Sequence, residues 1–271
     1  MNTQKSKPLI EALRFHADGA SKTALKSLIS DRRVSVDGKV VTKPMQEISE
    51  GQKIIILPKE KKAGPNIKIF YDDSHLTVVY KPENLLSVDQ DLGGHVSLHS
   101  YLKNYYKQKI TPVHRLDRGT SGVLVFAKSE KAKEGLKSLF YDHDIIREYI
   151  GIVLGSIPLD KGRWVDHLEE DDRGQVHVTP PNENSKEAIT CYEVLDRNET
   201  HTLVRFKLET GRKHQIRVQA NSRGFPLVGD EIYGRNKHRR MLLHAEKLEF
   251  KHPITGKEMK FHAPLPPSFK V

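Results

Sequence analysis

From residue 67 onward the chain is a succession of short β-prone runs with few helical stretches between them: IKIFY, LTVVYK, GVLVFAK, YIGIVLG, ITCYEVL, TLVRFKL and IRVQA. Runs of this length, rich in Val, Ile, Tyr and Phe, read as strands of a half-buried sheet. Two helices interrupt them. One follows Ser129, where Leu136, Leu139 and Phe140 recur at i, i+3, i+4 behind a serine cap and Glu130. The other is expected over residues 96 to 107. The large part of the chain is therefore α+β, a mainly antiparallel mixed sheet with few helices.

The first 60 residues follow another pattern. Residues 9 to 29 read as two short helices around Asp18-Gly19-Ala20-Ser21, with Ser21 capping the second. Val34-Ser35-Val36 and Lys39-Val40-Val41 flank Asp37-Gly38, a dipeptide that favours a tight hairpin turn, and Lys53–Leu57 supplies a third run. The charged Pro/Gly segment PKEKKAGPN then reads as a linker. Domains are expected over residues 1–60 and 67–271, with residues 61–66 between them.

Charge narrows the partner. The 271 residues hold 45 Lys and Arg against 35 Asp and Glu. Residues 1 to 62 carry 13 of the former and 7 of the latter, most of the net +10. Such an excess favours a polyanion, since nucleic-acid binding begins with neutralised phosphates. Lys22, Lys26 and Arg33 are spaced to share one helical face while Leu25 and Leu28 share another, which suits either phosphate contact or an ordinary solvated face. No run approaches the roughly 18 apolar residues of a membrane span, and MNTQKSKP is unlike a secretory leader, so a cytoplasmic protein is expected.

Two segments could carry chemistry. In His114-Arg115-Leu116-Asp117-Arg118-Gly119-Thr120-Ser121-Gly122, a carboxylate between two arginines lies in a turn-rich loop that enters the buried run VLVFA. Flanking positive charge favours its ionised form, as a nucleophile or general base needs; a loop cap or surface ion pair is the alternative. In Thr210-Gly211-Arg212-Lys213-His214-Gln215-Ile216-Arg217-Val218-Gln219, a strand would point Arg217 away from Ile216 and Val218. That cluster could clamp phosphates, pair with a carboxylate, or simply be solvated. Tyr149, at the mouth of an apolar run, could stack on a base or sit in the core.

Other chemistries are excluded. One cysteine, Cys191, permits no internal disulfide and reads as a small core residue; the 14 histidines form no metal-ligand spacing. There is no GxxxxGK[ST] or GxGxxG phosphate loop and no GxSxG elbow.

HRLDRGTSGVLVFAKS at 114–129 resembles the signature of the RluA family of RNA pseudouridine synthases. IFYDDSHLTVVYKPENLLSV at 69–88, REYIGIVLG at 147–155, SKEAITCYEVL at 185–195, LETGRKHQIRVQ at 208–219, PLVGDEIYG at 226–234 and LLHAEKLEFKHP at 242–253 follow in that family's order. Residues 9 to 57 are more loosely similar to the alpha-L RNA-binding domain often fused ahead of it.

The resemblance implies the pseudouridine synthase fold and isomerisation of specific uridines within structured RNA, with no cofactor or metal. Ribosomal RNA is the expected substrate and transfer RNA the second choice; a monomer is expected. It also implies Asp117 as the catalytic aspartate, Tyr149 as the tyrosine stacking on the target base, and Arg217 as the partner of Asp117. Arg115 would fill the gap left by a flipped-out uridine. Arg212, His214, Lys22, Lys26 and Arg33 would bind RNA. A noncatalytic RNA-binding or ribosome-assembly factor keeping the fold is the rival reading. The sequence departs from the family at Arg147-Glu148, where a Lys-x-Tyr approach is usual, at Gln219, where histidine is commoner, and at the degenerate Gly19-Ala20-Ser21-Lys22.

Overall fold

The computed structural model describes residues 6–17, 19–57, 62–64, 66–89 and 96–271, so Asp18 and, of the expected linker 61–66, Lys61 and Pro65 lie outside the described residues. The chain divides into two compact units, Met1–Glu60 and Lys61–Val271.

In the first unit β1 (Ser6–Pro8) leads into α1 (Leu9–Ala12) and a 3-10 turn at Leu13–Phe15. Next come α2 (Lys22–Ser30), β2 (Val34–Val36), β3 (Lys39–Val40), β4 (Glu47–Ser49) and β5 (Ile54–Ile56). Ser21 caps α2 by accepting from Ala24 N–H, which satisfies one of the helix's orphan donors. The β2–β3 turn has Asp37 at φ 49° and Gly38 at φ 79°, the left-handed pair of a type I′ hairpin. Asp37 also accepts from Lys53 N–H and Gln52, tying the turn to the approach of β5, which pairs with β2. Leu9, Leu13, Leu25, Ile29 and Val34 are fully buried in one core. Lys22 and Lys26 are exposed on α2, but that helix ends at Ser30. Arg33 therefore does not share their helical face: it follows a turn, and its Nε donates to Leu57 O.

The second unit opens with β6 (Lys62–Gly64), which pairs with β7 (Ile67–Asp72), so half of the expected linker is strand. Chain pairing overrides a polar, Gly-containing composition there. Then follow β8 (Leu76–Lys81), α3 (Leu98–Tyr106), β9 (Thr111–Pro112), β10 (Ser121–Ala127), α4 (Glu130–Tyr141) and β11 (Ile145–Leu154). The remainder is β12 (Lys161–Glu170), β13 (Val176–Thr179), β14 (Lys186–Arg197), β15 (His201–Leu208), α5 (Gln215–Ser222), β16 (Leu243–Lys251) and β17 (Glu258–His262). One large sheet runs β13-β12-β14-β15-β11-β16-β10-β8-β7-β6, with β17 on β16 and β9 on β10. Its described pairs are antiparallel except β10 with β16. At that parallel crossing Gly122 has φ 129°, and a Cβ there would collide with the Ala245 carbonyl, so a glycine is required.

All seven residues of β10 are buried, which is why VLVFA reads as an unbroken apolar run. Ser129 caps α4 by accepting from Ala132 N–H, and Ser97 and Ser100 form a capping box on α3. Trp164 packs against Tyr192 and Phe206 in the core beside β15. Cys191 is only partly buried, contrary to expectation, because its thiol faces Glu209 Oε1 at 3.1 Å rather than packing inside. Among the described residues no helix is long and apolar enough to cross a membrane.

Candidate active site

Asp117 stands in the loop between β9 and β10, and four attachments fix that loop. The Leu116 side chain is buried in the core. Leu116 N–H donates to Ser87 Oγ at 3.0 Å, and Ser87 Oγ donates back to Leu116 O at 2.7 Å. The fully buried Lys81 Nζ donates to the carbonyls of Leu85 (2.6 Å), Pro82 (3.0 Å) and Arg118 (3.1 Å), and burial pushes its amine down to about 7. His114 Nε2 accepts from Val125 N–H at 3.1 Å, and burial keeps its imidazole neutral, pushed down to about 3. With these anchors Asp117 has little freedom of backbone, as a positioned reactive group needs.

A second acid holds the partner of Asp117. Arg217 donates from Nε to Asp230 Oδ2 at 2.8 Å and from Nη2 to Asp230 Oδ1 at 2.9 Å, a two-pronged fork. Its remaining Nη1 donates to Asp117 Oδ2 at 2.9 Å. Burial works against the guanidinium charge, but the bonds to Asp230 and Asp117 outweigh it and hold Arg217 firmly protonated. Asp230, 1% exposed, likewise overcomes its burial through Arg217, and its carboxyl stays below the ordinary range. Its Oδ1 also accepts from the N–H groups of Ile232 and Tyr233, at 3.1 Å each, so the acid is anchored by backbone.

Arg217 lies on a helix, α5, and not on the strand that IRV suggested. Every residue from Gln215 to Ala220 is buried, so the amphipathic signature of a helix is absent from the sequence. Two buried glutamines one turn apart hold it. Gln215 accepts from Thr210 Oγ1 and Arg212 N–H, and donates to Ile189 O and Thr190 Oγ1. Gln219 accepts from Thr190 Oγ1 and donates to Asp166 Oδ2 and Ala188 O. The departure from histidine at 219 is thus fully satisfied. The helix starts at His214, whose φ of 55° makes the turn out of Thr210–Lys213.

These groups line a cleft of about 1820 Å³. Tyr149 on β11 forms part of the same wall; burial pushes its phenol up to about 12 and the Asp117 charge adds to that, so the hydroxyl is neutral. His214 Nε2 lies 3.7 Å from Asp117 Oδ1, while its Nδ1 is 2.7 Å from the Tyr233 hydroxyl. Arg115 and Arg212 are exposed on the cleft wall, Arg212 with its Nε donated to Glu187 O at 2.9 Å. Asp117, Tyr149, Arg217, Arg115, Arg212 and His214 are therefore together. Lys22, Lys26 and Arg33 belong to the first unit. Among the described residues no group of three or more His, Cys, Asp or Glu side chains could hold a metal ion.

Lys81, Asp230 and Tyr233 were not predicted from residue chemistry. Each lies inside a segment matched by resemblance, KP or GDEIYG, but nothing local signals that a buried lysine caps carbonyls or that an acid 13 residues downstream of Arg217 is its anchor.

Residues 75–222 match the family model described as RNA pseudouridylate synthase. An "uncharacterized RNA pseudouridine synthase YlyB" of Bacillus subtilis is 33% identical, covering 97% of this chain and 92% of its own length. The "ribosomal large subunit pseudouridine synthase D" of Escherichia coli K12 is 32% identical over 97% of this chain and 88% of its own. Among solved structures, the human RNA pseudouridylate synthase domain containing 4 protein superposes with a TM-score of 0.62 at 22% identity, over 73% of this chain and 88% of that one. A family match across more than half the chain, with relatives one-third identical along nearly all of it, places the protein among the RNA pseudouridylate synthases, in the RluA branch its motifs resemble.

Proposed function

We propose that the protein isomerises specific uridines of ribosomal RNA to pseudouridine, with Asp117 as the catalytic carboxylate, working in the cytoplasm as a monomer. The names of its bacterial relatives favour ribosomal over transfer RNA. The net reaction breaks the N1–C1′ bond, turns the detached uracil, forms a C5–C1′ bond and moves the C5 proton to N1. Nothing is gained or lost, so no redox or group-transfer partner is called for.

The observation that carries this reading is the Asp230–Arg217–Asp117 chain on the wall of a cleft that also holds Tyr149. Arg217 takes Asp117 Oδ2, while Oδ1 lies 3.7 Å from His214 Nε2 and the Asp117 side chain, 27% exposed, lines the cleft. That oxygen can reach the ribose, whether it attacks C1′ or removes a proton. The target nucleotide must leave its stack, which costs a few kcal/mol. Stacking on the Tyr149 ring offsets about 1–3 kcal/mol of this. Arg115 enters the space the base leaves, and Arg212 and His214 hold the surrounding backbone. The first unit acts as an alpha-L RNA-binding domain, in which the exposed Lys22 and Lys26, with Arg33, meet phosphates.

Asp117→Asn in a site-resolved pseudouridine assay tests the reading. It predicts loss of product with RNA affinity retained; a binding factor that merely keeps the fold would show no product with either protein.

A further inference from the structure

Arg147 lines the cleft, and its environment is unusual. It precedes Tyr149 by two residues on β11, so the two side chains leave the same strand face about 7 Å apart. The residue is 8% exposed. Its Nε and Nη2 are buried without any hydrogen-bond partner, and no carboxylate pairs with it among the described residues. Its neighbours are neutral or cationic. The Phe140 ring lies 5.7 Å from the guanidinium carbon, and His114 is neutral. Burial, with the Arg212 charge added, disfavours the protonated guanidinium, and the nearby Tyr149 phenol only partly opposes this. Gly211 makes room for it, since a Cβ there would collide with Arg147 Nη1. The same residues, Arg147, Phe140, Gly211 and Tyr149, line the cleft.

A guanidinium buried without counter-charge is destabilising, and an ionic group in such a place is normally paired. A ligand that brings an anion to the cleft would complete it. We propose that Arg147 is a phosphate-binding side chain that receives the backbone phosphate next to the nucleotide stacked on Tyr149. This rests on the RNA-modifying reading of the same cleft. The separation of two strand positions matches the step from a base to its own backbone, and the fork geometry of arginine suits phosphate oxygens.

The test uses the full chain, oligouridylate, and oligouridylate in which methylphosphonates replace the phosphates. Without RNA, Arg147→Gln and Arg147→Met are expected to melt no lower than wild type, because an unpaired buried charge has been removed. With oligouridylate, Arg147→Gln should bind roughly 10- to 100-fold more weakly, the range for charge-assisted hydrogen bonds. With methylphosphonate RNA the gap between wild type and Arg147→Gln should close, and Arg147→Lys should keep part of the phosphate sensitivity. Equal affinity of wild type and Arg147→Gln for oligouridylate would overturn the proposal. So would variants that melt lower without RNA while binding is unchanged, which would make Arg147 a structural residue. Turnover is not read, so a failure of the catalytic reading, seen as undiminished product from Asp117→Asn, leaves this result distinguishable.

Discussion

Replacing Asp230 by Asn tests whether the acid behind Arg217 matters to a reaction it does not touch. Asp230 is 1% exposed and accepts both prongs of the Arg217 fork, at 2.8 and 2.9 Å. Removing one partner of a buried ion pair costs about 3–5 kcal/mol, because the other charge is left uncompensated. Asparagine keeps one oxygen, which can still accept from Ile232 and Tyr233 N–H and from one Arg217 nitrogen. Its amide then turns a donor toward the other prong. The expected loss is therefore at the low end, about 3 kcal/mol by urea denaturation. Arg217 also retains Asp117 as a counter-charge, so the arginine should shift toward the cleft and draw the carboxylate with it. A displacement of that kind far from bond-making can lower the rate about 100-fold. Single-turnover pseudouridine formation at saturating RNA should fall by about that factor, with RNA affinity little changed. Wild-type stability together with wild-type single-turnover rate would refute the idea that Asp230 fixes the arginine.

Two further expectations follow from buried groups outside the Asp117–Arg217–Asp230 chain. Lys81→Met keeps the side-chain volume but leaves the carbonyls of Pro82, Leu85 and Arg118 without their donor; a loss of about 3 kcal/mol in urea denaturation and a slower single turnover are expected. His244 is fully buried between Ser121 Oγ at 2.8 Å and Ala263 O at 3.3 Å, and burial pushes its imidazole down to about 4. Because an unfolded histidine titrates near 6.5, the unfolded chain takes up the proton first as pH falls. The His244 contribution is thus complete above about pH 6.5 and is lost between there and about pH 4, up to roughly 3 kcal/mol. His244→Gln should flatten the stability profile in that window, and a profile parallel to wild type would count against a neutral buried imidazole.

Local signals read well where the physics is local. Asp37-Gly38, the Ser21 and Ser129 caps and the run VLVFA each carry their conformation in a few residues, and each has it in the structure. IRVQA fails because periodicity needs one wet face, and α5 has none; its polar face is buried against Thr190, Asp166 and Ala188. Lys62–Gly64 reads as linker because its polar, Gly-containing composition gives no strand signal, while its backbone pairs with β7. In the cleft, Asp117 was legible from its two flanking arginines, yet its ion-pair partner is neither of them but Arg217, 100 residues away. Asp230 and Lys81 lie in matched segments that assign them no role; what marks them is burial together with their bonds, to Arg217 and to the carbonyls of Pro82, Leu85 and Arg118, and neither shows in the residues around them.

Everything proposed for the cleft turns on Asp117 performing the isomerisation. The most direct measurement is a single-nucleotide pseudouridine map of ribosomal RNA from cells whose only copy of the protein is Asp117→Asn, beside wild-type and deletion cells. The sites lost on deletion are expected to be lost equally in Asp117→Asn, with the variant folded and still bound to RNA. Retention of those pseudouridines in Asp117→Asn cells would contradict it.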